Sequence, residues 1–169
     1  MTAGWALDLF HGRQTRPHAD LEIAVPEYGF PAIREALSDF ELFALGDGYT
    51  HPLDTRSLAE HHQTWVREPA TGTWRLDVMR EPWDGDTWVC RRDARIRLPA
   101  ARVIAYTAEG IPYAQPEIVL LFKAKAKREK DEADFERVLP LLGLRQRRWL
   151  ARALELIHPE HHWRYALKA

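Results

Sequence analysis

The sequence predicts an α+β fold: a small mixed β-sheet flanked by helices, with a helical C-terminal third. Three observations carry this prediction. Residues 20–25, D-L-E-I-A-V, alternate acidic and apolar side chains before a proline, the period of a half-buried strand. The middle of the chain holds several short β-rich runs separated by turn residues. From Pro116 onward the apolar residues fall at helical spacing. At 169 residues and 19.7 kDa the chain is expected to form a single domain, with residues 1–115 bearing the sheet and residues 116–169 the helical part.

Taken in order, residues 4–10 are apolar and short, one or two helical turns ending near Gly12. Residues 20–25 form the first strand, stopped by Pro26. Residues 30–40 set Ile33, Ala36, Leu37 and Phe40 on one helical face. A strand at 42–45 runs into the turn Gly46-Asp47-Gly48. Strands follow at 64–67, 74–79 and 87–91, with Trp83-Asp84-Gly85-Asp86 as a hairpin turn between the last two. Pro116 suits a first helical position, and Ile118, Leu121, Phe122 and Ala126 continue the stripe. Residues 131–142 and 144–157 read as two more helices, broken at Pro140 and Gly143.

Composition excludes several functions. The 24 Lys and Arg against 25 Asp and Glu leave a net charge of −1, so no global basic field exists to hold nucleic acid. A hydrophobic content of 46% with seven Trp argues against disorder. Cys90 stands alone, which rules out a disulfide scaffold and a cysteine-rich zinc site. No apolar run approaches the roughly 20 residues that cross a bilayer, and the N-terminus MTAGWALDLF lacks the pattern of a signal peptide. A cytoplasmic protein without nucleic-acid or membrane partners is the expectation.

The chemistry concentrates in residues 4–22, G-W-A-L-D-L-F-H-G-R-Q-T-R-P-H-A-D-L-E. Residues two apart on a strand point to one face, so Asp20 and Glu22 project together, about 6 to 7 Å apart at the backbone. Such a pair can reach one or two hard cations. Ahead of it stand Gly12, Arg13, Thr15, Arg16 and His18, groups that suit polyphosphate oxygens. An isolated D-x-E is most often a solvated edge; the glycine, bases and carboxylates in this order are more specific.

The string resembles the nucleotidyltransferase superfamily, whose fingerprint is a Gly-Gly or Gly-Ser turn, a short helix and D-x-[DE] on a strand. G-W-A-L-D, G-R-x-T-R-x-H and D-L-E resemble more closely its aminoglycoside and lincosamide nucleotidyltransferase branch. The match is dense over residues 4–22 and returns more loosely in G-I-P-Y-A-Q-P-E-I-V-L-L-F-K-A-K and K-D-E-A-D-F. The resemblance implies a sheet of nucleotidyltransferase type and a third carboxylate on a neighbouring strand. Asp77, interrupting the apolar strand W-R-L-D-V-M with Leu76 and Val78 on the opposite face, is the candidate; the alternative is an acid on a solvent face.

The resemblance further implies that Asp20 and Glu22 bind two Mg2+ ions, with Asp77 as a further metal ligand or as the catalytic base on an acceptor hydroxyl. ATP or another nucleoside triphosphate would be the co-substrate, attacked at its α-phosphorus with release of pyrophosphate. Gly4 at the turn, Arg13, Arg16 and His18 would contact the nucleotide, and Lys123, following an apolar helix face, could reach the phosphates. The acceptor would be a small hydroxylated molecule, with aminoglycoside or lincosamide antibiotics the class suggested. The alternative reading is a non-catalytic binding or antitoxin-type module with an incomplete N-terminus, because Ala3-Gly4 stands where the family has two small turn residues and only three residues precede Gly4.

Other signals read as structural. H-P-E-H-H-W (158–163) is expected to be a polar C-terminal tail, and His61 and His62 surface residues. The run from Lys123 to Glu132 reads as a solvated helix. Residues 40–74 carry no readable motif and are where acceptor specificity is expected. An incomplete sheet edge would favour a homodimer.

Overall fold

The computed structural model describes residues 1–126 and 128–168. Helix α1 (Ala3–His11) ends where Gly12 adopts φ 79°, a left-handed C-cap that a side chain would disfavour. Strand β1 (Leu21–Pro26) follows, then a short 3-10 turn and helix α2 (Phe30–Ala36). The helix expected over 30–40 thus stops a turn early. The backbone N–H groups of Leu37 and Phe40 instead close the turn that leads into the next strand.

Strands β2 (Glu41–Gly46) and β3 (Tyr49–Pro52) form a hairpin. Its two loop residues, Asp47 at φ 54° and Gly48 at φ 82°, are both left-handed, as the tightest hairpin turns require. Helix α3 (Thr55–Glu60) starts on a reciprocal cap: Asp54 Oδ1 accepts from the Ser57 N–H at 2.8 Å, and Ser57 Oγ accepts from the Asp54 N–H at 2.9 Å. Strands β4 (Gln63–Arg67) and β5 (Trp74–Glu81) complete a five-stranded sheet of order β1-β5-β4-β2-β3. Only the β1–β5 pair is parallel, so the sheet is mixed as expected.

The hairpin expected between the strands at 74–79 and 87–91 is placed differently. Gly85 and Asp86 turn between two-residue strand β6 (Trp83–Asp84) and β7 (Thr87–Val89). These pair with β8 (Arg97–Pro99) in a separate three-stranded sheet. Pro82, which lacks an N–H, separates β5 from β6, and the chain leaves the large sheet there. A last pair, β9 (Ile104–Tyr106) and β10 (Pro112–Ala114), leads into helices α4 (Pro116–Lys123), α5 (Glu129–Val138), α6 (Leu144–Ile157) and α7 (Trp163–Ala166). Pro116 takes the first turn of α4, and α6 has the predicted bounds.

Two apolar cores form, and only the first lies against the five-stranded sheet. Ile23, Val25, Leu76, Val78, Val66 and Leu42 pack with Phe30 and Ile33 of α2, Leu37 just after it and Leu58 of α3. The larger core joins Ala6 and Leu7 of α1 to α4, α5, α6, α7 and the small strands. Between this second body and the polar face of the sheet lies the cleft. Among the described residues, no helix is long and apolar enough to cross a membrane.

Candidate active site

Period-two alternation sends Ile23, Leu76 and Val78 into the α2 core, so Glu22 and Asp77 face the other way. They are register partners across the parallel β1–β5 pair, and Asp20 precedes Glu22 by two residues. All three line a cleft of about 680 Å³ whose far wall comes from β6, β7, β9, β10 and α4. Asp77 is buried at 5% exposure, Glu22 is half-buried and Asp20 is exposed. The solvent-face alternative for Asp77 is therefore excluded.

The electrostatics are those of acids gathered without a counterion. Burial pushes the Asp77 carboxyl up to about 6; hydrogen bonds from Gln63 and Trp65 pull it down, and the Asp20 charge pushes it up again. Burial, then the charges of Asp20 and Asp77, raises Glu22, with Lys123 and Lys130 opposing. Gln63 donates to Asp77 Oδ2, while the buried Oδ1 has no hydrogen-bond partner. A buried carboxylate oxygen without a donor, beside two further carboxylates, fits a hard divalent cation. The oxygens of the three do not all lie within 4.8 Å of one another; among the described residues that spacing is met only by Glu132, His161 and His162.

The bases expected to hold phosphate are tied into the fold. Arg16 makes a two-pronged pair with Asp134, Nε to Oδ1 and Nη2 to Oδ2 at 3.1 Å each. Its Nη1 donates to His18 Nδ1 at 3.0 Å, which leaves His18 Nε2 as the donor to Asp8 Oδ2 at 2.6 Å. Asp8 Oδ1 also accepts from the Thr15 N–H at 3.0 Å and hydroxyl at 2.5 Å. Arg16 and His18 still line the cleft, but their first role is to fasten the 12–20 loop to α1 and α5. Trp5 Nε1 donates to the Asp20 carbonyl at 3.1 Å, which holds the start of β1.

Gly4 has a packing reason rather than an open approach to ligand. A Cβ there would collide with the His18 ring and lie 2.7 Å from Arg16 Nη2. Arg13 is exposed on the loop after α1 and does not line the cleft. Lys123 does line it, at 8% exposure, with Nζ 2.9 Å from both Asp131 Oδ1 and Asp134 Oδ2. The run from 123 to 132 is therefore not one solvated helix. It closes α4 and opens α5, and Lys123, Asp131 and Asp134 form a buried knot between them. Lys127 of that run lies outside the described residues. Arg128 and Lys130 line the cleft beside it.

Other expectations are corrected by burial. The C-terminal stretch is not a polar tail: His161 is 2% and Trp163 1% exposed. Trp163 stacks on Phe135 at 4.2 Å and donates from Nε1 to Glu132 Oε2 at 2.7 Å, where His162 Nε2 also lies at 2.9 Å. His61 fills the space over Gly46 and stacks on His51 at 5.0 Å. From residues 40–74 only Gln63 and Trp65 reach the cleft; its far wall is built from residues beyond 80.

Sequence reasoning assigned no role to Asp8, Gln63 or Asp134. Asp8 left a signal, an acid in an otherwise apolar helical stretch. Asp134 lay in the loosely matching K-D-E-A-D-F string without a role, since its partner Arg16 is 118 residues away, and Gln63 left no signal.

The sequence model of the family described as aminoglycoside-2''-adenylyltransferase matches residues 1–67. Comparison with curated proteins finds no match. Two solved structures are similar in fold. The lincosamide antibiotic adenylyltransferase LnuA, bound to lincomycin, aligns with TM-score 0.54 and 17% identity over 79% of this chain and 80% of its own. The antibiotic-resistance factor ANT(2'')-Ia aligns with TM-score 0.56 and 17% identity over 98% of this chain and 82% of its own. The chain thus carries the α+β fold of the antibiotic nucleotidyltransferases, and its first 67 residues, which hold Asp20 and Glu22, resemble the aminoglycoside-2''-adenylyltransferase family.

Proposed function

We propose that the protein transfers a nucleoside monophosphate from ATP or another nucleoside triphosphate to a hydroxyl of a small molecule, with antibiotics as the acceptor class. The observation that carries this is the Glu22–Asp77 register pair with Asp20 lining the same cleft, and with Asp77 Oδ1 buried and unpartnered. Asp20, Glu22 and Asp77 would hold Mg2+, two ions in this reading. Bound there, the metal supplies the positive charge that offsets the carboxylates and the triphosphate.

The residues themselves account for the remaining tasks. Gln63 fixes Asp77 through Oδ2 and leaves Oδ1 toward the reaction. The acceptor hydroxyl gives its proton to Asp77, its oxygen bonds to the α-phosphorus, and the bond to pyrophosphate breaks in line. Lys130 at the cleft would neutralise the departing phosphates; Arg128 and Lys123 line it too, but are paired with Asp131 and, for Lys123, also Asp134. Arg16 and His18 position the loop that leads into Asp20.

The second reading, a non-catalytic module, draws on the engagement of Arg16 and His18 by Asp134 and Asp8 and on the spread of the carboxylate oxygens. Thermal unfolding with magnesium and nucleoside triphosphate separates the two. Stabilisation by the pair, lost in Asp20→Asn, is expected of the enzyme. Asp77→Asn should abolish transfer and spare much of the nucleotide binding. No shift at millimolar nucleotide and magnesium would reject the catalytic reading.

A further inference from the structure

The charge pattern of the cleft discriminates among acceptors, on the premise that the transferase reading holds. Among the described residues, four carboxylates line the cleft: Asp20, Glu22, Asp77 and Glu81. The first three form the cation site. Glu81, at 6% exposure, is already satisfied, by Arg91 Nε on Oε1 at 2.9 Å and Trp88 Nε1 on Oε2 at 3.1 Å. No carboxylate remains on the lining to receive an ammonium group of an acceptor.

The wall opposite the carboxylates is aromatic and cationic. Trp83, Tyr106, Tyr113 and Phe122 line it, and the guanidinium groups of Arg91 and Arg92 stack on the Phe122 ring at 4.8 and 4.6 Å. Arg92 is held there by the Leu121 and Phe122 carbonyls at 3.1 and 2.9 Å, so it cannot swing away cheaply. A polycation entering this space would meet the Arg92 guanidinium and, since Glu81 already offsets Arg91, no unpaired carboxylate outside the cation site. An apolar or aromatic body would instead cover the rings. The wall lies beyond residue 80, outside the 1–67 stretch that resembles the aminoglycoside family.

We propose that the acceptor is a hydroxylated compound with an apolar body and at most one positive charge, and that the Arg91–Arg92–Phe122 wall excludes polycationic aminoglycosides. Isothermal calorimetry on the full chain, saturated with magnesium and a non-hydrolysable ATP analogue, tests this with two probes. Lincomycin carries one ammonium group and an apolar tail; kanamycin carries four ammonium groups. Lincomycin should bind at least tenfold more tightly. Tyr106→Ala, at a position 65% exposed and so neutral for folding, should weaken lincomycin about fivefold and leave nucleotide affinity unchanged. Arg91→Gln should narrow the ratio between the two probes.

Kanamycin binding as tightly as lincomycin, or neither binding while the nucleotide and magnesium still stabilise the protein, would overturn the acceptor assignment and leave the transferase reading standing. Loss of nucleotide-dependent stabilisation itself would remove the premise instead. A Tyr106→Ala variant with unchanged lincomycin affinity would also overturn the proposed wall. Because Arg91 pairs with a buried acid, the wild-type ratio and the Tyr106 variant decide the matter if Arg91→Gln does not fold.

Discussion

Ala3 and Gly4 show how a single methyl group acts at this site. Ala3 holds φ 50°, a left-handed conformation that costs an L-residue about 1 kcal/mol or more. Ala3→Gly should relieve it and raise stability by about 0.5 to 1 kcal/mol after the larger unfolded-state entropy of glycine is included, read as the midpoint of urea unfolding. Gly4→Ala should act the other way. The added Cβ displaces the His18 ring and Arg16, and a loss of about 2 kcal/mol is expected, with weakened nucleotide stabilisation because the loop before Asp20 shifts.

Asp77 supplies the pH dependence at the same scale. Its folded pKa of about 6 lies above the ordinary 3.8, so the ionised form is the one the fold disfavours. Below about pH 4 the group costs nothing; the penalty grows as pH rises and is complete above 6. Without metal, Asp77→Asn should therefore be more stable than wild type at pH 7.5, by up to about 3 kcal/mol. The difference should vanish near pH 4 and shrink on adding magnesium. Thermal melts across that pH range give the measurement.

At the scale of elements, α5 is the member most of the site leans on. Its Asp134 faces Arg16 from the loop, Lys123 from α4 and Arg137 from its own helix. Burial pushes this carboxyl up, but hydrogen bonds from Arg16 and Lys123 outweigh it and hold it at about 2. The stability it contributes is present above about pH 4 and is lost as pH falls toward 2. Asp134→Asn should cost about 3 kcal/mol by leaving buried cations uncompensated, and acid unfolding should begin at higher pH than in wild type.

Legibility of the elements followed the range of the forces that make them. The bounds of α6 and the Asp47-Gly48 turn were readable because each rests on contacts a few residues apart, and β1 was readable to within one residue from its own alternation of side chains. Helix α3 was missed although its Asp54–Ser57 cap is local; its six residues carry too little apolar pattern to announce a helix. The hairpin at Trp83–Asp86 had the right turn but the wrong partner strand, since sheet membership is set by what packs behind the strand.

For the whole molecule, the C-terminal stretch closes the larger core onto α5. Trp163, stacked on Phe135 and bonded to Glu132, is the joint. Trp163→Ala should cost about 3 to 5 kcal/mol in denaturant unfolding. Nucleotide stabilisation should weaken with it, because α5 positions the Lys123 knot.

Of the fold and site, the sequence by itself determined that Glu22 and Asp77 each stand opposite apolar neighbours; the strand expected from Asp20 begins one residue later, at Leu21, and leaves Asp20 in the bend before it. Two-residue alternation is a local property of the chain, and a one-residue slip would bury the acids in the α2 core. Only the tertiary structure decided that Glu22 and Asp77 meet in register, that Arg16 spends its guanidinium on Asp134, and that the cleft lining beyond residue 80 is aromatic and cationic. Those outcomes depend on groups up to 118 residues apart competing for the same donors in a buried space. No spacing along the chain records which of them wins.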